Sequence, residues 1–309
     1  MSTVTCPVAI HTQTRLHITT RLKQSVLSAV QLDDKIYTLI KFPDFHLIQI
    51  YQDEKPISRI DIEEITEPKC LVACHRTKCL YVLDGGGFDN TGNDHENWCI
   101  WKINPTEKEV SCWLDEPYLY AISEDDNMCE EIISLSVSSR AQLLLLKYDS
   151  HRRPYKCHLD VYKGDTDAIP PHLVSVQVKD PHHAIETDRG HFLISHGYRH
   201  FSGISEVMRS GDVVRYFHHF DPRDQSEPLV QPVRLEMGSY GRVLVAGKSN
   251  SKVILVDPQL DTYEVLLTAN DHGINNPTQL SYCRNKKQLL VIHQEGKKID
   301  IYRLSDTTL

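Results

Sequence analysis

Residues 232–267 read PVRLEMGSYGRVLVAGKSNSKVILVDPQLDTYEVLL and contain four short apolar segments separated by turn residues. The segments are 232–237, 241–246, 251–258 and 262–267. Each is rich in Val, Ile, Leu or Tyr, and Gly, Ser, Asn, Asp and Pro lie between them, which is typical of strands joined by tight turns. The stretch therefore predicts four consecutive antiparallel strands.

The same four-strand unit recurs along the chain, at intervals of roughly 43 to 63 residues between equivalent strands. Several copies begin with Pro, which lacks a backbone N–H and is therefore favoured at the start of a strand. The predicted units cover residues 25–62, 66–115, 130–178, 180–219, 230–268 and 276–304. The last unit contains only three strands.

Each four-stranded sheet has two apolar faces that it cannot bury alone. Packing the sheets radially around an axis buries both faces, and this arrangement is a β-propeller. We expect an all-β fold with six four-stranded antiparallel blades in a single domain over residues 1–309. The N-terminal segment 7–20 is expected to supply the missing outer strand of the last blade and to close the ring.

The repeats resemble NHL repeats, the propeller units found in tripartite-motif proteins. The segment Cys79-Leu-Tyr-Val-Leu-Asp84 followed by Asn97-Trp-Cys-Ile-Trp-Lys-Ile carries the resemblance, and segments 242–258 and 265–277 add to it. Repeats one, three and four depart from the pattern, and no Gly-His…Trp-Asp signature of WD repeats occurs. The resemblance implies a platform that binds protein or RNA. Lyases and lactonases share this shape, so the fold alone does not decide the function.

Composition narrows the choice of partner and compartment. The 309 residues contain 34 Lys plus Arg and 42 Asp plus Glu, which gives a net charge of −8. This charge argues against nucleic acid and anionic lipid as general partners, and no apolar run approaches the length of a membrane span. The first 22 residues lack a secretory signal, and the nine cysteines are an odd number. We therefore expect a cytoplasmic protein with reduced cysteines.

Loops between second and third strands, and between blades, emerge on one face of a propeller, which we call the loop face. Variable loops on a rigid scaffold are the usual way to build a recognition surface. Charged, aromatic and His side chains predicted on this face are the candidate binding residues: Asp84, Asp94, His95, Tyr118, Tyr120, Asp125, Asp126, Arg152, Arg153, His196, Arg199, His200, Arg223, Lys248, His272 and His293.

A catalytic propeller is the main alternative. It requires carboxylate or amide oxygens around the central channel, where a hard cation would bind. Candidates near strand starts are Glu67, Glu130, Glu131, Asp180, Asn275 and Asn276. A calcium loop beginning at Asp89 fails, because Asp94 stands where Gly is required. No zinc or H-E-x-x-H spacing occurs, so no metal or cofactor is predicted.

The sequence thus predicts a non-catalytic interaction module that binds a protein or peptide through the loop face. A metal-dependent lactonase-like or lyase-like enzyme is the first alternative. An RNA-binding NHL domain is the second, based on local basic groups such as Arg152, Arg153 and Lys248. The acidic side chains predicted on the same face oppose RNA binding, because they repel phosphate.

Overall fold

The computed structural model describes residues 10–16, 24–85, 98–115, 130–149, 156–163, 171–197, 202–217 and 231–304. These residues form six antiparallel sheets, each of four strands. In five sheets the strands follow chain order, from the first strand of the blade to the fourth. The structure therefore confirms the predicted six-bladed propeller.

The first three blades contain strands β2 to β13. Blade 1 consists of β2 Ser25–Leu32, β3 Lys35–Lys41, β4 His46–Gln52 and β5 Lys55–Asp61. Blade 2 consists of β6 Pro68–Cys74, β7 Cys79–Asp84, β8 Cys99–Asn104 and β9 Glu109–Asp115. Blade 3 consists of β10 Glu130–Val137, β11 Gln142–Asp149, β12 Lys156–Lys163 and β13 His172–Val176.

The other three blades contain strands β14 to β24 and a short helix. Blade 4 consists of β14 Pro181–Glu186, β15 Phe192–His196, β16 Gly203–Val207 and β17 Val213–Phe217. Blade 5 consists of β18 Pro232–Met237, β19 Val243–Gly247, β20 Lys252–Val256 and β21 Tyr263–Leu267. Helix α1, Ala269–His272, leads into blade 6, with β22 Gln279–Cys283, β23 Gln288–His293 and β24 Lys298–Leu304.

The N-terminal strand closes the ring as predicted. Strand β1, Ile10–Leu16, lies within the expected segment 7–20 and pairs antiparallel with β24. It becomes the fourth strand of a sheet that the C-terminal residues begin, in the order β1-β24-β23-β22. The two ends of the described chain are therefore joined in one blade.

A second contact joins blade 6 to blade 1. The backbone N–H of Val26 donates to the carbonyl of Gly296, 2.9 Å away. Gly296 has a φ of +79°, and a Cβ atom there would lie 2.3 Å from the Val26 carbonyl oxygen. A side chain at residue 296 would separate the two blades, so this junction requires glycine.

The hydrophobic core lies between the blades. Among the described residues, buried apolar side chains form one cluster for each pair of neighbouring blades. Leu39 and Ile48 of blade 1, for example, share a cluster with Leu71 and Leu80 of blade 2, and all four are fully buried. No helix in the described part of the chain is long and apolar enough to span a membrane.

Candidate functional site

A bulge in the first strand of five blades places one side chain per blade in a common layer near the axis. In β18, Pro232 pairs with Gly247 and Arg234 pairs with Ala246, so Val233 is left without a ladder partner. The same irregularity occurs in β2, β6, β10 and β14. In β22 the equivalent residue is Gln279, which pairs with Ile292. We call the six residues at this position the axial layer: Ser28, Cys70, Ser134, His183, Arg234 and Gln279.

The axial layer links blades 6, 1, 2 and 3. Gln279 Nε2 donates to Ser28 Oγ at 2.6 Å, and Ser28 Oγ donates to the Leu71 carbonyl at 2.9 Å. The Cys70 thiol forms a hydrogen bond with the backbone of Leu135 in the next blade. Burial nevertheless raises the pKa of the Cys70 thiol, because the charged form is poorly solvated there. The first strands are therefore connected through buried polar groups as well as by apolar packing.

The links continue from blade 3 to blade 5. Ser136, two residues after the axial position of β10, donates to the Ala184 carbonyl at 2.6 Å. The Leu235 backbone N–H donates to His183 Nδ1 at 3.3 Å. His183 therefore carries its proton on Nε2 when neutral. Burial, reinforced by the neighbouring Arg234 charge, holds the pKa of His183 well below its usual value.

Arg234 differs from Ser28, Cys70, His183 and Gln279, which each form a hydrogen bond with a neighbouring blade. Arg234 is 9% exposed, and its guanidinium forms neither a hydrogen bond nor an ion pair with any described residue. The buried Nε atom of Arg234 and the buried Nε2 atom of His183 both lack a hydrogen-bond partner among these residues. A buried donor without a partner is unfavourable, and an unpaired buried charge is more so.

A cavity of about 430 Å³ extends from Arg234 and His183 toward the turns that join first and second strands. Asp33, Arg76 and Asp188, which lie in or beside these turns, contribute to its lining. First-to-second turns and second-to-third loops lie at opposite ends of an antiparallel blade. The cavity therefore opens on the face opposite to the loop face, which we call the turn face.

Three carboxylates of the cavity lining have cationic partners. Two of these ion pairs lie at the mouth, and the third lies deeper, where the carboxylate is 3% exposed. The pairs are Asp33–Lys78, Asp188–Arg284 at 4.0 Å and Glu186–Arg209 at 2.7 Å. Their negative charges are therefore largely compensated.

Glu236 is a fourth carboxylate of the cavity lining. Burial raises the pKa of Glu236 to about 7, although the positive charges of Arg234 and Arg284 oppose the shift. The side chain therefore keeps its proton to a higher pH than an ordinary Glu and carries less than a full negative charge near neutral pH. It therefore compensates Arg234 incompletely.

The raised pKa predicts how Glu236 affects stability as the pH changes. The folded state holds this proton more tightly than the unfolded state, whose pKa is near 4.5. The resulting stabilisation is complete below about pH 4.5 and is lost as the pH rises through 7. Glu236→Gln is therefore expected to be more stable than the wild type at pH 8, by roughly 1 to 3 kcal/mol, with no advantage at pH 4.

Urea unfolding at both pH values measures this difference. Glu63→Gln is the control, because Glu63 is exposed and its substitution should leave the free energy of unfolding nearly unchanged at either pH. A Glu236→Gln variant whose stability relative to the wild type is the same at pH 4 and pH 8 would contradict the assignment.

Three predicted binding residues occupy one equivalent position in different blades. Asp84, His196 and His293 each end the second strand of a blade. Each side chain makes a polar contact with the third strand, two residues beyond its ladder partner. The contacts are Asp84–Trp101 at 3.4 Å, His196–Ser205 at 2.7 Å and His293–Asp300 at 3.1 Å.

Two of these side chains also hold the loop that enters their blade. The Asp84 carboxylate accepts from the backbone N–H groups of Thr66 at 3.1 Å and Glu67 at 2.7 Å. His293 Nδ1 accepts from the Asn275 N–H at 3.2 Å. Asp84 is 4% exposed and His293 is fully buried. Both buried side chains thus hold loops of the loop face by hydrogen bonds to their backbone. A direct role for these side chains in binding stays a prediction.

Two further candidates lie on described parts of the loop face. Lys248 follows β19, and its N–H donates to the Gln231 carbonyl at 3.1 Å. His272 ends α1, where its Nδ1 accepts from the Thr268 N–H at 3.2 Å. The other eleven candidates lie outside the described residues: Asp94, His95, Tyr118, Tyr120, Asp125, Asp126, Arg152, Arg153, Arg199, His200 and Arg223.

An aromatic pair on the loop face was not predicted from the sequence. Phe42 and Phe45 lie in the second-to-third loop of blade 1, and their rings stack with centroids 4.3 Å apart. Phe42 packs against the core cluster between blades 6 and 1, whereas Phe45 is 50% exposed. The pair presents a supported apolar ring to solvent, which is a common feature of protein-binding surfaces.

Glu67 and Asp180 are the carboxylates proposed for a channel cation whose side chains the structure describes, and they belong to no metal-binding group. No group of three or more His, Cys, Asp or Glu side chains in the described part of the chain lies in a position to hold a metal. Glu67 instead contacts Lys69 at 3.1 Å and Lys41 at 3.8 Å. The axial layer carries hydroxyl, thiol, imidazole, amide and guanidinium groups. The Arg234 guanidinium makes it unsuitable for a divalent cation, because the two charges repel.

No family model matches the chain, and no curated protein matches it in sequence. Solved structures match its propeller fold at low sequence identity. One is virginiamycin B lyase from Staphylococcus aureus, with a TM-score of 0.61 and 10% identity over 95% of this chain and 99% of that one.

Two other solved structures illustrate the range of functions that this shape supports. A gluconolactonase from Xanthomonas campestris has a TM-score of 0.62 and 9% identity over 98% of this chain and 96% of that one. YCF48 bound to D1 peptide has a TM-score of 0.55 and 12% identity over 90% of this chain and 78% of that one. At these identities the likeness establishes the fold, and function has to be argued from the site.

Proposed function

We propose that this chain is an NHL-like propeller that acts as a non-catalytic interaction module and binds a protein or peptide through its loop face. The observation that carries the proposal is the composition of the axial layer. A guanidinium stands where a catalytic propeller would gather oxygen ligands, so the described residues offer no site for a hard cation at the axis. Binding is the function that remains for a rigid scaffold with variable loops.

The residues of the loop face that the structure describes support this proposal. Asp84 and His293 fix two of the entering loops by hydrogen bonds, so these loops form a surface that needs little ordering on binding. The exposed Phe45 ring offers apolar contact area. The peptide-bound YCF48 structure is a precedent for such binding on a propeller of similar shape.

Selection of peptides from a phage-displayed random library on the immobilised protein tests the proposal. Peptides enriched by the wild type are expected to bind Phe45→Ala at least about tenfold more weakly, because an exposed aromatic anchor contributes strongly to an interface. Tyr216→Ala is the matched control. It truncates another exposed aromatic, on the outer strand β17 of blade 4, and should bind the selected peptides as the wild type does.

Other outcomes would support the alternatives. Failure to enrich any peptide, together with lactone hydrolysis that depends on a bound metal, would replace the proposal with the enzyme alternative. Salt-sensitive binding of single-stranded RNA, without peptide binding, would favour the RNA-binding alternative. Selected peptides that bind Phe45→Ala and Tyr216→Ala equally well would place the interface away from Phe45 and contradict the proposed surface.

A further inference from the structure

We propose that the cavity on the turn face is a binding site for a small oxyanion, a carboxylate or a phosphate group, held by the Arg234 guanidinium and the Nε2–H of His183. This site is entered from the turn face rather than from the loop face, and it does not depend on the proposed function. It would recognise an anionic metabolite or the anionic group of a larger ligand.

The charge of Arg234 is the first argument. The guanidinium is buried at the inner end of the cavity and lacks an ion pair with any described residue. Arg remains protonated in proteins and presents five N–H donors in a planar fork that fits carboxylate and phosphate oxygens. A buried guanidinium without a carboxylate partner is costly, and a bound oxyanion would remove that cost.

The position of Arg234 in the axial layer is the second argument. Ser28, Gln279 and His183 each make a hydrogen bond to a neighbouring blade. Arg234 holds the equivalent position in blade 5 but makes no such bond to a described residue of blade 6. Its donors are therefore left for a group inside the cavity, which its side chain lines.

His183 supplies a second donor from the neighbouring blade. Its Nδ1 accepts from the Leu235 N–H, so its Nε2 carries the proton. This buried Nε2–H has no hydrogen-bond partner among the described residues. His183 is 1% exposed and also lines the cavity. The same cavity contains one unsatisfied buried carboxylate oxygen, Glu186 Oε2, whose negative charge is paired with Arg209. The two unsatisfied donors therefore favour an acceptor as the ligand.

The remaining charges of the cavity do not remove this preference. The carboxylates of Asp33, Asp188 and Glu186 are paired with cations. Glu236 carries only part of its charge at neutral pH. Arg76 lines the mouth and is exposed, so it adds positive potential along the path of an entering anion.

Isothermal titration calorimetry of the full chain with inorganic phosphate, and separately with acetate, tests the proposal at constant ionic strength. We expect saturable binding at one site for at least one of the two probes, and the stronger probe identifies the class of oxyanion. Arg234→Gln is expected to weaken this binding at least about tenfold, because it removes a charge-assisted hydrogen-bond donor.

Two further variants test the contributions of the cavity mouth and of His183. Arg76→Gln removes the same charge from the cavity mouth and should change the affinity less than about threefold, because an exposed charge is screened. His183→Asn keeps an acceptor near the Nδ1 position and removes the Nε2–H, so it should also weaken binding. His183→Asn serves as the second probe of the site if Arg234→Gln fails to fold.

The absence of saturable binding for both probes would overturn the proposal. So would equal affinities for the wild type and Arg234→Gln, since the heat would then come from ions bound elsewhere. Phe45→Ala should bind the probes like the wild type. Loss of peptide binding and loss of oxyanion binding are therefore separate results, and either proposal can fail alone.

Discussion

Removal of residues 1–16 is expected to lower the free energy of unfolding by on the order of 5 kcal/mol, because it deletes the strand that closes the ring. Strand β1 pairs with β24 from Ile10↔Leu304 to Leu16↔Ile299. Without it, β24 becomes an exposed edge with unpaired backbone groups, and blade 6 keeps three strands. Such a protein should unfold at a lower urea concentration and aggregate more readily than the full chain.

The effect should be reversible by supplying the strand separately. A synthetic peptide of residues 1–16, added to the truncated protein, is expected to restore most of the lost stability by adding a strand to the open edge. A peptide of the same composition in scrambled order is the control and should have no effect. Unfolding of the truncated protein at the same urea concentration as the full chain would show that β1 does not close the propeller.

Lys147→Met is expected to cost about 3 to 5 kcal/mol, because it leaves a buried carboxylate without its partner. Lys147 lies near the loop-face end of the second strand of blade 3. Its Nζ is 2.6 Å from Asp160 Oδ2 in the adjacent strand. Their side chains are 4% and 3% exposed. The cost arises from the uncompensated Asp160 charge, so the double variant Lys147→Met/Asp160→Leu should recover most of the stability.

Urea unfolding of the two single variants and the double variant gives the coupling energy of this pair. Lys78→Met is the matched control, because Lys78 pairs with Asp33 where both side chains are more than half exposed. That change should cost less than about 1 kcal/mol. A loss for Lys147→Met as small as the loss for Lys78→Met would mean that the buried pair is not formed.

The fold could be predicted because its determinants are local and repeated. Pro at positions 68, 181, 232 and 277 marks the start of a first strand or the residues just before it, and apolar segments follow at similar distances. The strand missing from blade 6 could be predicted as well, since only the N-terminal segment remained to supply it. These inferences need only the period of the repeat and the requirement that each sheet be covered on both faces.

The axial layer was missed, although a signal for it exists. Its residue lies two positions after the leading Pro in four blades, at Cys70, His183, Arg234 and Gln279. The bulge that turns this position toward the axis depends on how the first strand meets the second. Strand alternation alone does not reveal it, because one extra residue reverses the side-chain pattern.

The loop-face candidates could be predicted only by position. Asp84 and His293 lie at the ends of second strands as expected, but their side chains satisfy backbone N–H groups inside the fold. Polarity at a strand end does not distinguish a residue that binds a ligand from one that holds a loop. That distinction requires the register of the neighbouring strand, which the sequence does not specify.

We propose that the axis of this propeller carries a guanidinium in place of the oxygen ligands of a catalytic cation. The metal content of the purified full chain tests this claim, measured by mass spectrometry after dialysis with calcium, magnesium and zinc and then against metal-free buffer. We predict less than stoichiometric retention of all three metals. One equivalent of a divalent cation that survives dialysis in the wild type would contradict the claim and favour the enzyme alternative.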